Sequence, residues 1–449
     1  MSTELERGLW PAISLVALLV TATCAGHGQW EQPQPPRAAT AAGPAPEAAS
    51  VPGSVAAPSA SAPALAVASA SGRAGSNPNP PPAEPEALRL ARFFHALDEL
   101  SGGQRHDHVR VLWLGDSHTA ADYLTGAVRK SLQDRFGIGG PGYLRVGLGT
   151  YRHSLVKVTR EGAWHIEPTP PPRRSRQDDG VFGLGGLCAL AEPPARARLE
   201  LREGSVRGTA RWQVLFDADP NATLKLKLGS RQELLSASTA EKPAGSSIRH
   251  VTFEAPATDA LELTAAAGKV RVYGAIAESS EPGLVLDTLG IDGARVATAL
   301  AWDKDAFSAE VAARHPDLAV MAYGTNEAFD SARTDRYTAE LGELVARLRR
   351  GQPELDCVIV APPDAGTVDG GSPPRLIEVE RAQRDAARQL GCGFYSLRLA
   401  MGGEGSYWQW LREDPPLARP DRLHFSPRGY EKLGNGFADA LLAAYDQRK

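Results

Sequence analysis

The sequence predicts an α/β protein whose core is a doubly wound parallel sheet of five strands, interrupted by an antiparallel β-sandwich. Two observations carry this. From Ala87 onward, short apolar runs alternate with helical patterns, the rhythm of a parallel sheet covered on both faces. Between about Arg145 and Gly283 that rhythm gives way to stretches of period two, as half-exposed antiparallel strands require.

The apolar runs are Val109 to Leu114, Leu284 to Leu289, Asp317 to Tyr323, Cys357 to Ala361 and Phe394 to Leu397. A first helix is expected over Ala87 to Leu100. Further helices are expected over Ala294 to Ala313, Ser331 to Arg350, Pro374 to Leu390 and Pro427 to Tyr445, each with 3.6-residue spacing. Ser426 followed by Pro427 is a favourable helix start, a side-chain cap before a residue that lacks the N–H. The intervening region carries alternation in Arg196 to Arg202, Thr223 to Leu228, Val251 to Glu254 and Leu261 to Leu263.

The N-terminal part is of another kind. Leu9 to Ala22 is an apolar run too short to span a bilayer and is expected to be a signal-peptide core. Thr21-Ala22-Thr23-Cys24 resembles a lipoprotein cleavage site, with Cys24 as the lipidated residue. Thr21 stands where leucine is usual, and Glu4 and Glu6 offset Arg7. From Gln32 to Glu86 the chain is rich in Pro, Ala, Ser and Gly. It lacks the apolar surface to offset its chain entropy, so a disordered tether is expected. The expected organisation is therefore a leader over 1–24, a tether over 25–86, α/β blocks over 87–144 and 284–449, and the insert over 145–283.

A formal net charge of −4 leaves no basic field for nucleic acid. The four cysteines have no zinc or Cys-x-x-Cys spacing. Cys357 and Cys392 open adjacent buried strands and are expected as small core thiols, with a disulfide as the alternative. His106-Asp107-His108 has no further ligands spaced to close a metal site and is expected to be a solvated loop. Arg173, Arg174 and Arg176 are expected to be an exposed charge run, with a patch that meets an anionic glycan as the alternative. Gly180 to Gly186 is expected to serve backbone packing, and Trp408 and Trp410 to line either the core or a sugar or acyl subsite.

Four motifs in order carry the chemistry: Gly115-Asp116-Ser117-His118, Gly290-Ile291-Asp292-Gly293, Gly324-Thr325-Asn326 and Asp421-Arg422-Leu423-His424. Three follow consecutive apolar strands, the edge at which open α/β sheets bind ligands. A serine hydroxyl needs a base to take its proton, and His424 is the candidate, with Asp421 three residues earlier to orient the ring. The backbone N–H groups of Ser117 and Gly293 and the Asn326 amide are candidate donors to an oxyanion. Gly290 is expected to serve a tight turn, and Asp116 and Thr119 to pin the serine loop. No Gly-x-Ser-x-Gly elbow occurs. The pattern predicts a serine ester hydrolase, with neither cofactor nor metal expected.

Ser117, Gly293, Asn326 and His424, in this order and at these strand ends, resemble the signature positions of the SGNH superfamily, also called GDSL esterases and lipases. The resemblance covers the α/β blocks and implies the SGNH hydrolase fold, a flavodoxin-like arrangement. A β-sandwich between the first two blocks, with the Gly-Asp-Ser-His-Thr opening, further resembles the peptidoglycan O-acetylesterases. That implies an insert similar to carbohydrate-binding modules. The expectation is an exported, lipid-anchored esterase of the periplasm or cell envelope that removes a small acyl group, acetyl, from a cell-envelope or extracellular polysaccharide through an acyl-enzyme. The alternatives are a polysaccharide O-acetyltransferase and a non-catalytic glycan-binding lipoprotein.

Overall fold

The computed structural model describes residues 88, 90–167, 179–331 and 333–448. The expected leader, Cys24, the tether and the Arg173–Arg176 run lie outside the described residues. No helix among the described residues is long and apolar enough to cross a membrane.

The five expected strands form one parallel sheet in the spatial order Leu284–Gly290, Val109–Gly115, Leu318–Ala322, Asp356–Ala361, Gly393–Ser396. Numbered along the chain this is 2-1-3-4-5, the flavodoxin-like order, and the chain carries the SGNH hydrolase fold. Every residue of the first two strands is buried, which explains continuous apolar runs in place of alternation. Leu112 and Leu114 face one core. It is completed by the helices Lys304–Arg314, Thr334–Gly351 and Pro374–Leu390. Val109, Val111 and Trp113 face the other, formed with Ala91–Ser101, Leu124–Phe136 and Pro427–Gln447.

Helix starts follow local chemistry where a cap exists. Ser426 accepts a hydrogen bond from Gly429 N at 3.2 Å, and Pro427 follows it. The single helix expected over Ala294 to Ala313 is two, Val296–Leu300 and Lys304–Arg314. Asp303 causes the break: its carboxylate caps the second helix, accepting from Asp305 N at 3.1 Å and Ala306 N at 2.8 Å. Its own N–H reaches Gly180 O at 3.0 Å. The glycine-rich segment is indeed backbone packing, since a Cβ on Gly186 would lie 2.0 Å from the Trp302 ring.

The insert is two antiparallel sheets face to face. One runs Arg249–Ala255, Ala210–Ala218, Val270–Ser279, Cys188–Ala191, Trp164–Glu167, with Gly142–Leu144 also paired to Val270–Ser279. The other runs Val156–Glu161, Arg196–Leu201, Leu261–Ala267, Thr223–Leu228, Arg231–Leu235. Trp212, Val214, Phe216, Leu224, Leu226 and Leu263 fill the space between them. The opposite face of the first sheet, with Leu215, Tyr273 and Ile276, joins the core of the parallel-sheet part. Val270–Ser279 is therefore buried on both faces, and no period-two pattern marks it in the sequence.

A buried ionic cluster reinforces that seam. Arg314 Nε donates to Asp287 Oδ2 at 2.7 Å, and Arg110 Nε to Glu278 Oε1 at 2.9 Å. Arg314 Nη1 also reaches Glu278 Oε1, at 2.5 Å. Burial alone would raise the Glu278 pKa, yet Arg314 and Arg110 together hold it well below the usual carboxylate range.

Two further expectations are corrected. In His106-Asp107-His108 the first two residues are exposed, as a solvated loop requires, but His108 is buried, accepting from Gly283 N at 3.1 Å through Nδ1 and meeting Ser279 O at 3.0 Å through Nε2. Asp107 pairs with Arg110. Cys357 and Cys392 are not separate thiols but a disulfide, since neighbouring parallel strands bring their Cα atoms to 4.7 Å. Cys188 keeps a buried thiol.

Glu278→Ala leaves two buried guanidinium groups without their shared counter-ion and is expected to destabilise the fold by about 3–5 kcal/mol. Urea unfolding at pH 7 checks this.

Candidate active site

Strand register brings the motifs together. Gly115 is level with Gly290 on one side and Ala322 on the other, so the segments after them leave the sheet at one height. This is also the switch point, since the second and third strands lie on opposite sides of the first.

Ser117 begins the short helix Ser117–Ala120 immediately beyond the first strand. Asp116 is its cap, accepting from His118 N at 3.0 Å. Burial pushes the Asp116 carboxyl up to about 6, against the pull of that N–H. Thr119 packs where a Cβ on Gly115 would lie, 2.1 Å from its hydroxyl.

Ser117 Oγ lies 3.1 Å from His424 Nε2, and His424 Nδ1 lies 3.0 Å from Asp421 Oδ2. With Nδ1 donating to the carboxylate, Nε2 is left to accept from the serine hydroxyl. Asp421 Oδ1 also accepts from His424 N at 2.8 Å and Leu423 N at 3.0 Å. Burial raises the Asp421 pKa, but those N–H groups and the His424 ring outweigh it and hold the carboxyl below its ordinary range. The tight loop needs Arg422 at φ 65°, a left-handed conformation.

The loops that carry Gly293 and Asn326 are joined across the same edge. Asn326 Nδ2 donates to Ala294 O at 2.9 Å, which uses one of its two amide hydrogens and leaves the other. Gly293 has φ 69°, and a Cβ there would touch nothing within 4 Å, so its backbone is open to the site. The turn therefore belongs to Gly293. Gly290 ends a strand, and its glycine is required by close approach: a Cβ there would sit 2.3 Å from Ala120 N.

Several supporting residues carry no local sequence signal. Tyr407 Oη donates to Arg419 O and also lies 3.2 Å from His424 O and 3.4 Å from Asp421 Oδ1, bracing the Asp421–His424 loop. His118 Nδ1 pairs with Tyr430 Oη at 3.0 Å, and its ring centroid lies 5.5 Å from that of His424. Burial, reinforced by the neighbouring His424, lowers the His118 pKa to about 3. Glu327 accepts from Val296 N at 2.9 Å and Gly324 N at 3.1 Å, and burial pushes it up to about 7. Trp408 and Trp410 lie on the helix Ser406–Leu411. Trp410 is buried edge-on against Phe425 and serves packing, while Trp408 is half-buried, its Nε1 donating to Gly371 O at 3.1 Å. No group of three or more His, Cys, Asp or Glu side chains among the described residues is arranged to hold a metal ion.

His118 ionises near 6.5 in the unfolded chain but only near 3 when folded. Its contribution to stability is complete above pH 6.5 and is lost as the pH falls toward 3. Between pH 7 and 5 the wild type should lose on the order of 2 kcal/mol through this group. His118→Asn is expected to lose that much less over the same interval. Urea unfolding at the two pH values checks it, and an equal drop in both chains would contradict it.

Comparison with known proteins bears on the domain and the fold. Residues 259–432 match the GDSL-like lipase/acylhydrolase family. The match holds Gly293, Asn326, Asp421 and His424 but not Ser117, which the insert separates from them. A solved peptidoglycan O-acetylesterase aligns with a TM-score of 0.67 at 24% identity, covering 81% of this chain and 98% of that one. A lipase/acylhydrolase from Enterococcus faecalis aligns with a TM-score of 0.27 at 19% identity, covering 35% of this chain and 75% of its own. An acetyl xylan esterase aligns with a TM-score of 0.27 at 17% identity, covering 36% and 81%. No curated protein matched.

Proposed function

We propose that this chain, which carries a GDSL-like lipase/acylhydrolase domain, is an exported serine esterase that removes a small acyl group, acetyl, from a cell-envelope polysaccharide. The observation that carries the proposal is the continuous hydrogen-bonded line Ser117, His424, Asp421 at the switch point of the sheet. In this reading Ser117 Oγ attacks the ester carbonyl carbon while His424 Nε2 takes the hydroxyl proton. His424 then delivers that proton to the departing sugar oxygen. Water attacks the acyl-enzyme by the same route in reverse, releasing acetate and restoring Ser117. Asp421 stays ionised throughout, holding the tautomer and stabilising the imidazolium. The N–H groups of Ser117 and Gly293 and the remaining amide hydrogen of Asn326 receive the tetrahedral oxyanion.

The acetyl and polysaccharide parts draw support from the shared architecture with a peptidoglycan O-acetylesterase, whose aligned chain this one spans almost completely. Export and anchoring draw support from the apolar leader and Cys24, and from the Cys357–Cys392 disulfide, a bond suited to an oxidising compartment. A glycan-binding role for the insert finds less support. Trp164, Trp212, Phe216, Phe253 and Tyr273 are all buried, so none offers a stacking platform. On the outward face of the second sheet, Arg198, Lys227 and Lys157 pair with Glu200 and Glu262.

The purified chain is expected to release acetate from an O-acetylated glycan with no acceptor present. Acetate appearing only as transfer to an added sugar would assign a transferase instead. Ser117→Ala should abolish release, whereas activity on p-nitrophenyl acetate that survives unchanged would return the function to binding. Asn326→Ala is expected to lower kcat about 100-fold, read from steady-state rates on p-nitrophenyl acetate.

A further inference from the structure

We propose that Glu327 is a positioning residue of the oxyanion site, its carboxylate clasping the Gly293 loop to the Asn326 loop and so setting the spacing of their donors. The proposal rests on the reading of Gly293 and Asn326 as oxyanion donors. Glu327 is 4% exposed, and its two oxygens serve two different segments. One accepts from Val296 N at 2.9 Å, three residues beyond Gly293, and the other from Gly324 N at 3.1 Å, two residues before Asn326. The first of these links spans 31 residues of sequence. The same gap is crossed by Asn326 Nδ2 to Ala294 O at 2.9 Å and by Arg295 Nη2 to Asn326 O at 3.3 Å.

A carboxylate is an expensive group to bury, and a neutral side chain would cost less if filling space were its only task. Burial pushes the Glu327 carboxyl up to about 7, and above that pH the ionised group supplies two acceptors and no donor. Glutamine has one acceptor, and its NH2 would face one of the two N–H groups. Aspartate is a methylene shorter and cannot span both. Loop spacing matters because oxyanion donors act over a few tenths of an ångström and must be in place before charge develops.

The test uses the full chain on p-nitrophenyl acetate at about pH 8.5, where Glu327 is ionised. Glu327→Gln is expected to lower kcat about 10- to 100-fold with KM within about threefold of wild type, the mark of an interaction made in the transition state. In an Asn326→Ala background the same substitution should cost much less, because one of the two donors it spaces is gone. Wild-type kcat in Glu327→Gln, a change in KM alone, or an undiminished loss in the Asn326→Ala background would each overturn the clasp. If Glu327→Gln does not fold, Glu327→Asp keeps the charge and is expected to show the same loss of kcat, wild-type kcat there being the overturning result. Full activity in Asn326→Ala would remove the oxyanion reading itself, whereas a damaged Asn326→Ala beside an intact Glu327→Gln removes the clasp alone.

Discussion

The register of the first strand against its two neighbours is the constraint on which the rest of this molecule depends. Val109–Gly115 pairs in parallel with Leu284–Gly290 and Leu318–Ala322, and all three end level. In a parallel sheet a strand cannot slip by one residue without turning every side chain to the other face. Here both faces are core, so Leu112 and Leu114 would exchange places with Val111 and Trp113. The register is therefore held by the whole apolar interior, and the three loops that leave the sheet inherit its precision. Ser117, Gly293 and Asn326 stand on those loops.

Close packing at the strand ends refines what register begins. Gly115 and Gly290 admit Thr119 and the backbone of Ala120, drawing the serine helix down onto the sheet. The fourth participant arrives from elsewhere: Tyr407 and Phe425 fix the Asp421–His424 loop, and Pro427–Gln447 packs the chain behind it. The insert is part of the same mechanics. Its inner sheet shares a hydrophobic core with the parallel-sheet part, and Glu278 and His108 tie Val270–Ser279 to the first strand and the loop before it. The sandwich is thereby tied to the strand that carries Gly115.

Much of this is legible in the chain. The five strands, the principal helices and the motif order follow from hydrophobic period and helix-start chemistry, which are local properties. The helix break at Asp303 was not legible, because a capping aspartate is ambiguous until Gly180 is seen to meet its backbone. Nor was the burial of His108, since a His-Asp-His run on a loop looks polar until the insert covers it. The Cys357–Cys392 bond needed the two strands to be neighbours, which spacing along the chain does not state.

The sequence by itself determined the class of fold, the presence of an insert and the residue types able to perform acyl transfer, because side-chain chemistry and periodicity are written residue by residue. Tertiary structure alone decided that Ser117 faces His424 at hydrogen-bond distance across 307 positions of chain. It alone decided that His118 is buried and neutral beside His424, and that Glu327 joins two loops rather than standing in solvent. The physical reason is common to all three. Burial, and the partner met on burial, are set by elements distant in sequence, and they govern both the charge a side chain keeps and the direction in which it points.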